Sequence, residues 1–320
     1  MRAAVVHTFG EPPRYQDHAE PTPGPGEVVA EVRAAALHNL TRGVAAGRHY
    51  SAAGGPPLIP GVDGVGVLSD GRRVMFGGLP HPWGTMAERV AVRPEATWPV
   101  PDGLDDTTAA ALFNAGMGPW MALALRARLA RGERVAILGA TGVTGQLAVQ
   151  IAKELGAGHV VAVGRNEAVL DTLEALGADE VVAFTEPDET LVASLRAAFE
   201  GGVDVVVDML WGKPAEAAIR AIVGRPYAAE APRVRFVQMG EMAGPTVSLP
   251  AGALRSSGLE ILGSGLGSVA MRRIVTEVAP PMFAAAARGA LRIAVRAVPL
   301  ADVESAWDAP QGGVRTVFVP

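Results

Sequence analysis

The chain has 320 residues, 49% of them hydrophobic and 19% charged, with a formal net charge of −5. That length allows two domains with separate cores, and that balance belongs to globular chains, away from disordered ones. The acidic excess argues against a nucleic-acid partner, which calls for a basic surface, and a chain without cysteine has no disulfide, thiolate nucleophile or cysteine-ligated zinc.

The start, MRAAVVHTFG, lacks the apolar core of a secretory signal, which reads as a cytoplasmic protein. Residues 1–10 read as a strand, 12–26 as a proline-rich turn region, and 27–36 as a strand that offers Val28, Val29, Val32 and Ala34 to a core. Residues 37–43 place His38, Asn39, Thr41 and Arg42 on a short helix, and a Gly/Ala/Pro-rich loop with His49 and Tyr50 follows. Strands are expected at 61–68, 72–76 and 85–92. Short strands broken by Gly and Pro predict an irregular β-rich first domain. The uncharged run 109–125 approaches the length of a membrane span. Asn114, Gly116, Gly118 and Pro119 interrupt it, so it reads as a buried interdomain helix with a break.

The second domain centres on RVAILGATGVTGQLAVQIAKELGAGHVVAVGR, residues 134–165. An apolar run, a turn with Gly139, Gly142 and Gly145, an amphipathic segment and a second apolar run read as strand, turn, helix, strand. A dinucleotide pyrophosphate lies against backbone N–H groups at the start of a helix, where any side chain would hold it off. Thr141, Gly142, Val143 and Thr144 are the expected donors. The bland alternative is a glycine-rich loop that only packs a helix on a sheet. The second strand ends in Gly164, Arg165 and Asn166, with no acidic residue for the ribose hydroxyl of NAD. Arg165 suits the 2′-phosphate of NADPH instead; an arginine capping a surface loop is the alternative. Beyond it come a helix at 167–176, a strand at 180–183, a helix at 190–199 and a strand at 203–207 that runs into Asp208. Strands at 234–239 and 259–263, a helix at 269–287, and strands at 293–299 and 316–319 complete the chain. The last two are expected to return to the first domain.

Several of these segments together resemble the zinc-independent, quinone oxidoreductase-like branch of the medium-chain dehydrogenase/reductase superfamily. They include MRAAVVHTFGEP, PGPGEVVAEVRAAALHNLTRG, PGVDGVGVL, GATGVTGQLAVQIAKELGA, LGADEVV, DVVVDMLWG and VPLADVESAWDAPQGG, in the family's order. The resemblance implies an α/β protein. A GroES-like β-rich catalytic domain, residues 1–108 and 288–320, would sit beside a Rossmann domain with a doubly wound parallel sheet, residues 109–287, with NADPH in the cleft between them. Zinc-dependent members place a Cys at the position matched by His38, a His-Glu pair at Val62-Asp63, and a Cys or Asp near Ala115. One possible ligand among three first-sphere positions is too few for a zinc that needs three, so no metal is expected.

The resemblance also names candidate catalytic groups. His38 stands where the zinc-free branch commonly has Asn, and could orient a carbonyl or supply a proton; a histidine hydrogen-bonded to backbone is the alternative. Tyr50 matches a tyrosine near the substrate, and Asn114 lies where the chain crosses near the nicotinamide. Many relatives have Thr at Gly118. Met209 and Leu210, and Met239 and Gly240, match loops that line the adenosine and nicotinamide ends, while Gly265 and Leu266 match the loop at the carboxamide. The strand at 259–262 matches the edge that pairs across a homodimer. Loops 43–60 and 245–257 are poor in polar groups, which points to a small apolar acceptor. The expected activity is NADPH-dependent, metal-free hydride transfer to a quinone or activated enone. An enoyl-thioester reductase and a non-catalytic NADPH-binding sensor or structural protein are the alternatives.

Overall fold

The computed structural model describes residues 1–49, 52, 54–223, 231–265 and 267–320. The chain divides into two compact units, Met1–Ala115 with Ala286–Pro320, and Gly116–Ala285.

The first unit is built on antiparallel strands with one parallel pair, the last two strands of the chain. β1 (Arg2–Val5) pairs with β2 (Arg14–Asp17). The larger sheet contains β3 (Val28–Ala36), β4 (Asp63–Leu68), β5 (Arg73–Gly77), β6 (Arg89–Val92), β7 (Trp98–Pro99), β14 (Val295–Pro299) and β15 (Arg315–Val319). Its order is β14-β15-β3-β4-β5-β7, with β6 also on β3. β3 slips register between Val32 and Ala34, a bulge that bends the strand. One core gathers Val5, Leu37, Met86, Trp307 and Phe318; another gathers Val32, Val74, Phe76 and Val90. α1 (Asn39–Ala45) begins directly after β3 with His38 as its N-cap. Thus the end of β3 and the start of β4 bring His38 and Asp63 together.

The second unit carries a parallel sheet of β8 (Arg134–Leu138), β9 (His159–Gly164), β10 (Glu180–Ala183), β11 (Val205–Asp208), β12 (Arg233–Gln238) and β13 (Gly258–Gly263), in the order β10-β9-β8-β11-β12-β13. Every pairing is parallel. The order reverses between β8 and β11, where open α/β sheets bind ligands at the carboxyl ends of their strands. β8, β9 and β11 are nearly continuous Val, Ala, Ile and Leu because helices cover both faces. These helices include α3 (Val143–Glu154), α4 (Glu167–Leu173), α5 (Glu189–Ala198) and α6 (Gly212–Val223). Leu191, Leu195, Phe199, Ala218, Ile222 and Phe236 belong to the resulting core. Asp188 caps α5 through its carboxylate, which accepts the N–H groups of Thr190 and Leu191.

Several boundaries differ from the sequence expectation. The proline-rich stretch contains β2, whose RYQD, exposed at both ends and half-buried between, shows no apolar alternation. The strand expected at 85–92 is confined to Arg89–Val92. The expected break at 109–125 is absent: α2 (Asp106–Trp120) continues into a π-helical segment, Met121–Ala127, despite Pro119. α6 was not expected, nor was α7 (Ala251–Arg255). The helix expected at 269–287 begins at α8 (Met271–Arg273), passes through a π-helical Ile274–Val278 and ends as α9 (Ala279–Ala287). A last short helix, α10 (Val303–Ala306), precedes β15.

Candidate active site

The second unit presents a glycine-rich turn between β8 and α3. Gly139 and Ala140 donate N–H groups to Val163 O on β9 at 3.0 and 2.9 Å, which straps the turn to the sheet. Gly139 has φ +90°, open to glycine at little cost. A Cβ on Gly145 would collide with Gly139 O and Ala140, so the third glycine is what lets α3 approach the turn. Gly142 is the exposed N-cap of α3, and no side chain caps that end. The first-turn N–H groups, which Val143 and Thr144 contribute, therefore form an uncapped helix terminus suited to an anion. Thr141 packs its side chain against Gly164, where a Cβ would lie 2.5 Å from the Thr141 methyl. Any larger residue at 164, acidic ones included, would force the Thr141 side chain to move.

Beyond Gly164, Arg165 is exposed and forms no ion pair among the described residues. Asn166 serves the fold, since its side chain accepts the N–H of Val169 at 3.3 Å and caps α4. Leu210 lies against Gly139, with its Cδ2 3.1 Å from where a Cβ would be. Gly240 lies against Met209, whose carbonyl oxygen would be 2.7 Å from a Cβ. The structure thus gathers Gly139, Thr141, Gly142, Val143, Thr144, Gly164, Met209, Leu210 and Gly240 around the carboxyl ends of β8, β9 and β11. Met239 fills the space beside Gly118, its methyl 2.8 Å from a Cβ built there. A soft thioether stands where a Thr at 118 would project. Gly265 follows β13, its N–H held by the Ser268 hydroxyl at 2.9 Å. Leu266 lies outside the described residues.

Two further groups at this end of the sheet escaped the sequence reading. Asp208 is fully buried at the end of β11; burial pushes its carboxyl up to about 6, against the N–H groups of Leu210 and Trp211 that favour the charged form. A charge closing the apolar run VVVD was the available signal. Ser264, just after β13, is 8% exposed and its hydroxyl has no hydrogen-bond partner among the described residues. Such an orphaned donor, the uncapped α3 and an Arg165 without an ion pair among the described residues fit a phosphorylated dinucleotide.

In the first unit, a polar cluster lies within the β-rich core. His38 Nε2 and Asp63 Oδ1 are 3.0 Å apart, and His38 Nδ1 is 3.0 Å from Thr41 Oγ1. Both ring nitrogens are thus engaged, one by a carboxyl oxygen and one by a hydroxyl. Arg315 is buried nearby and donates to Leu37 O at 2.9 Å. Burial pushes its guanidinium down to about 10, Asp63 opposes that shift and Arg42 adds to it. Val62 and Ala115 offer no side-chain donor. Among the described residues no three His, Asp or Glu side chains gather as metal ligands would. Asn114 is half-buried on α2, and its amide has no hydrogen bond among the described residues. Tyr50 lies outside the described residues.

The family model described as zinc-binding dehydrogenase matches residues 143–281, a span that contains none of positions 38, 62, 63 and 115. The probable NADPH-dependent quinone reductase tdiC of Emericella nidulans is 30% identical, with all of both chains covered. The quinone oxidoreductase from Thermus thermophilus, solved also as its complex with NADPH, is 29% identical with a TM-score of 0.78 and all of both chains covered. A mycocerosic acid synthase-like polyketide synthase of Mycobacterium tuberculosis is 31% identical over 211 residues, 62% of this chain and 10% of the synthase. With its parallel sheet, its glycine turn and a full-length relative at this identity, the chain belongs to the medium-chain dehydrogenase/reductase superfamily, in its quinone oxidoreductase branch.

Proposed function

We propose that this chain is an NADPH-dependent, zinc-independent oxidoreductase acting on a quinone or activated enone. The observation that carries the reading is the uncapped α3 terminus behind a glycine turn, with Arg165, which has no ion pair among the described residues, at the end of the next strand. When bound, NADPH supplies a hydride to an electron-poor carbon or quinone ring. In this reading Thr141, Gly142, Val143 and Thr144 hold the pyrophosphate, and Arg165 holds the 2′-phosphate. Met209, Leu210, Met239, Gly240, Gly265 and Leu266 line the rest. The NADPH named for the Emericella nidulans and Thermus thermophilus relatives supports the choice of cofactor.

A resident zinc does not fit the donor set: His38 and Asp63 bind each other, and positions 62 and 115 are Val and Ala. Charge developing on the acceptor oxygen then needs hydrogen-bond donors from the chain. Asn114 has an amide without a hydrogen bond among the described residues, and the Tyr50 phenol is the second donor that the resemblance suggests. In this reading His38, with both nitrogens engaged, holds the β3–α1 junction. The open edge of β13 is read as the seam of a homodimer.

The match to polyketide synthases favours one second reading, an enoyl-thioester reductase. NADPH oxidation with 1,4-benzoquinone, 9,10-phenanthrenequinone, a short 2-alkenal and crotonyl-pantetheine, after treatment with a chelator, separates the two. Quinone turnover that survives chelation upholds the first; turnover of the thioester alone selects the second. Loss of activity with zinc removal, restored by zinc, would end the metal-free account.

A further inference from the structure

β11 ends in Asp208, whose backbone pairs with Leu138 where the sheet reverses its order. Its Oδ1 accepts the N–H of Leu210 at 2.8 Å and of Trp211 at 3.1 Å, and Oδ2 accepts the N–H of Trp211 at 3.2 Å. The backbone fastened in this way is strained. Trp211 has φ +54°, a left-handed conformation that a bulky L-residue adopts only when its surroundings impose it. Gly212 follows at φ +56°, where a Cβ would meet Ala243 O at 2.7 Å. The turn determines where Leu210 stands, and Leu210 stands against Gly139, the first residue of the glycine-rich turn.

We propose that Asp208 is a positioning residue for the dinucleotide: its carboxylate holds Leu210 and Trp211 in the left-handed turn, and the turn sets Leu210 as an apolar wall beside the glycine loop. The inference rests on the NADPH reading above. Asp208 acts through Leu210, from behind the binding surface. Strained, non-glycine backbone gathers at ligand clamps, and here a buried acceptor restrains it.

The test uses the full chain and reads the NADPH Kd by fluorescence titration, together with kcat and KM on a quinone. Asp208→Ala leaves two N–H groups without their acceptor and frees the turn, so NADPH affinity should fall about tenfold, while kcat at saturating NADPH stays within about threefold. Asp208→Asn keeps an oxygen for both N–H groups and should bind within about threefold of wild type. Glycine reaches the left-handed region without restraint, so Asp208→Ala with Trp211→Gly should recover affinity to within about threefold of wild type. A role confined to general stability predicts no recovery, since Trp211→Gly also removes a ring packed 6.3 Å from that of Phe236. The inference falls if Asp208→Ala binds within about twofold of wild type, or if the double variant binds no better than the single. Should the single variant not fold, a folded double variant more than about tenfold weaker than wild type overturns it equally. Wild-type protein that binds no NADPH overturns both readings; wild type that turns over quinone while Asp208→Ala binds unchanged overturns this one alone.

Discussion

His38 and Asp63 are joined by a 3.0 Å contact between Nε2 and Oδ1, and both side chains are almost wholly buried. Removing the imidazole would take from the buried Asp63 side chain its hydrogen-bond partner at Oδ1, and a hydrogen bond to a charged group is costlier to lose than a neutral one. His38→Ala, which also leaves a cavity, should lower stability by about 3 kcal/mol, measured by urea denaturation. Thr41→Val removes only a neutral hydroxyl partner and should cost about 1 kcal/mol. A destabilisation no larger for His38→Ala than for Thr41→Val would show that the pair carries little.

Arg165 stands exposed at the end of β9 with no acidic partner among the described residues. Loss of a charge-assisted phosphate contact worth about 1.5–3 kcal/mol should raise the KM for NADPH by about one to two orders of magnitude in Arg165→Ala. The KM for NADH should stay near its wild-type value. An unchanged ratio of the two constants would refute the cofactor assignment.

Gly145 packs α3 onto Gly139 O and Ala140 Cα, backbone atoms that cannot step aside. Gly145→Ala should therefore cost about 1–3 kcal/mol, seen as a lowered Tm. Gly142→Ala, whose Cβ has only Gly139 O at 3.6 Å, should leave Tm unchanged and weaken NADPH instead. That split separates a packing glycine from a ligand-facing one.

Gly118 and Met239 share one space, with the Met239 methyl 2.8 Å from a Cβ at 118. Gly118→Thr alone should lose about 1 kcal/mol, partly absorbed because Met swings easily. Adding Met239→Ala should return that loss. A double variant no more stable than the single would show that the two residues are not coupled.

Asp208 titrates at about 6 in the folded protein against an ordinary 3.8. The folded state then holds the proton more tightly than the unfolded chain, so this group's contribution to stability falls as pH rises between those values. Asp208→Asn does not titrate. Relative to wild type it should gain about 3 kcal/mol between about pH 4 and about pH 8. Denaturation midpoints for both proteins across that range provide the check, and a pH-independent difference would mean that the carboxyl is not perturbed.

Much of the second unit was legible because its constraints are local. Glycines 139, 142 and 145 follow an apolar run and open an amphipathic one, and each element lies within a few residues of its signal. What escaped depends on distant partners or on mixed signals. Nothing near His38 announces Asp63, because only the pairing of β3 with β4 brings them together. Gly212 and Pro214 masked α6, although proline is tolerated in a helix's first turn. The short β2 had no hydrophobic periodicity to read, and its strand character comes from pairing with β1.

β15 lies between β14 and β3, with Val317 opposite Ala36, and Gln311 and Arg315 both donate to Leu37 O. Those residues follow the whole of the second unit in the chain. On the ribosome, where chains emerge from the N-terminus, the second unit can therefore reach its finished state while Ala35 and Ala36 of β3 still lack their partner strand. The first half must wait for its closing strand, so a stall in translation before residue 315 would release a chain with one completed body and one open sheet.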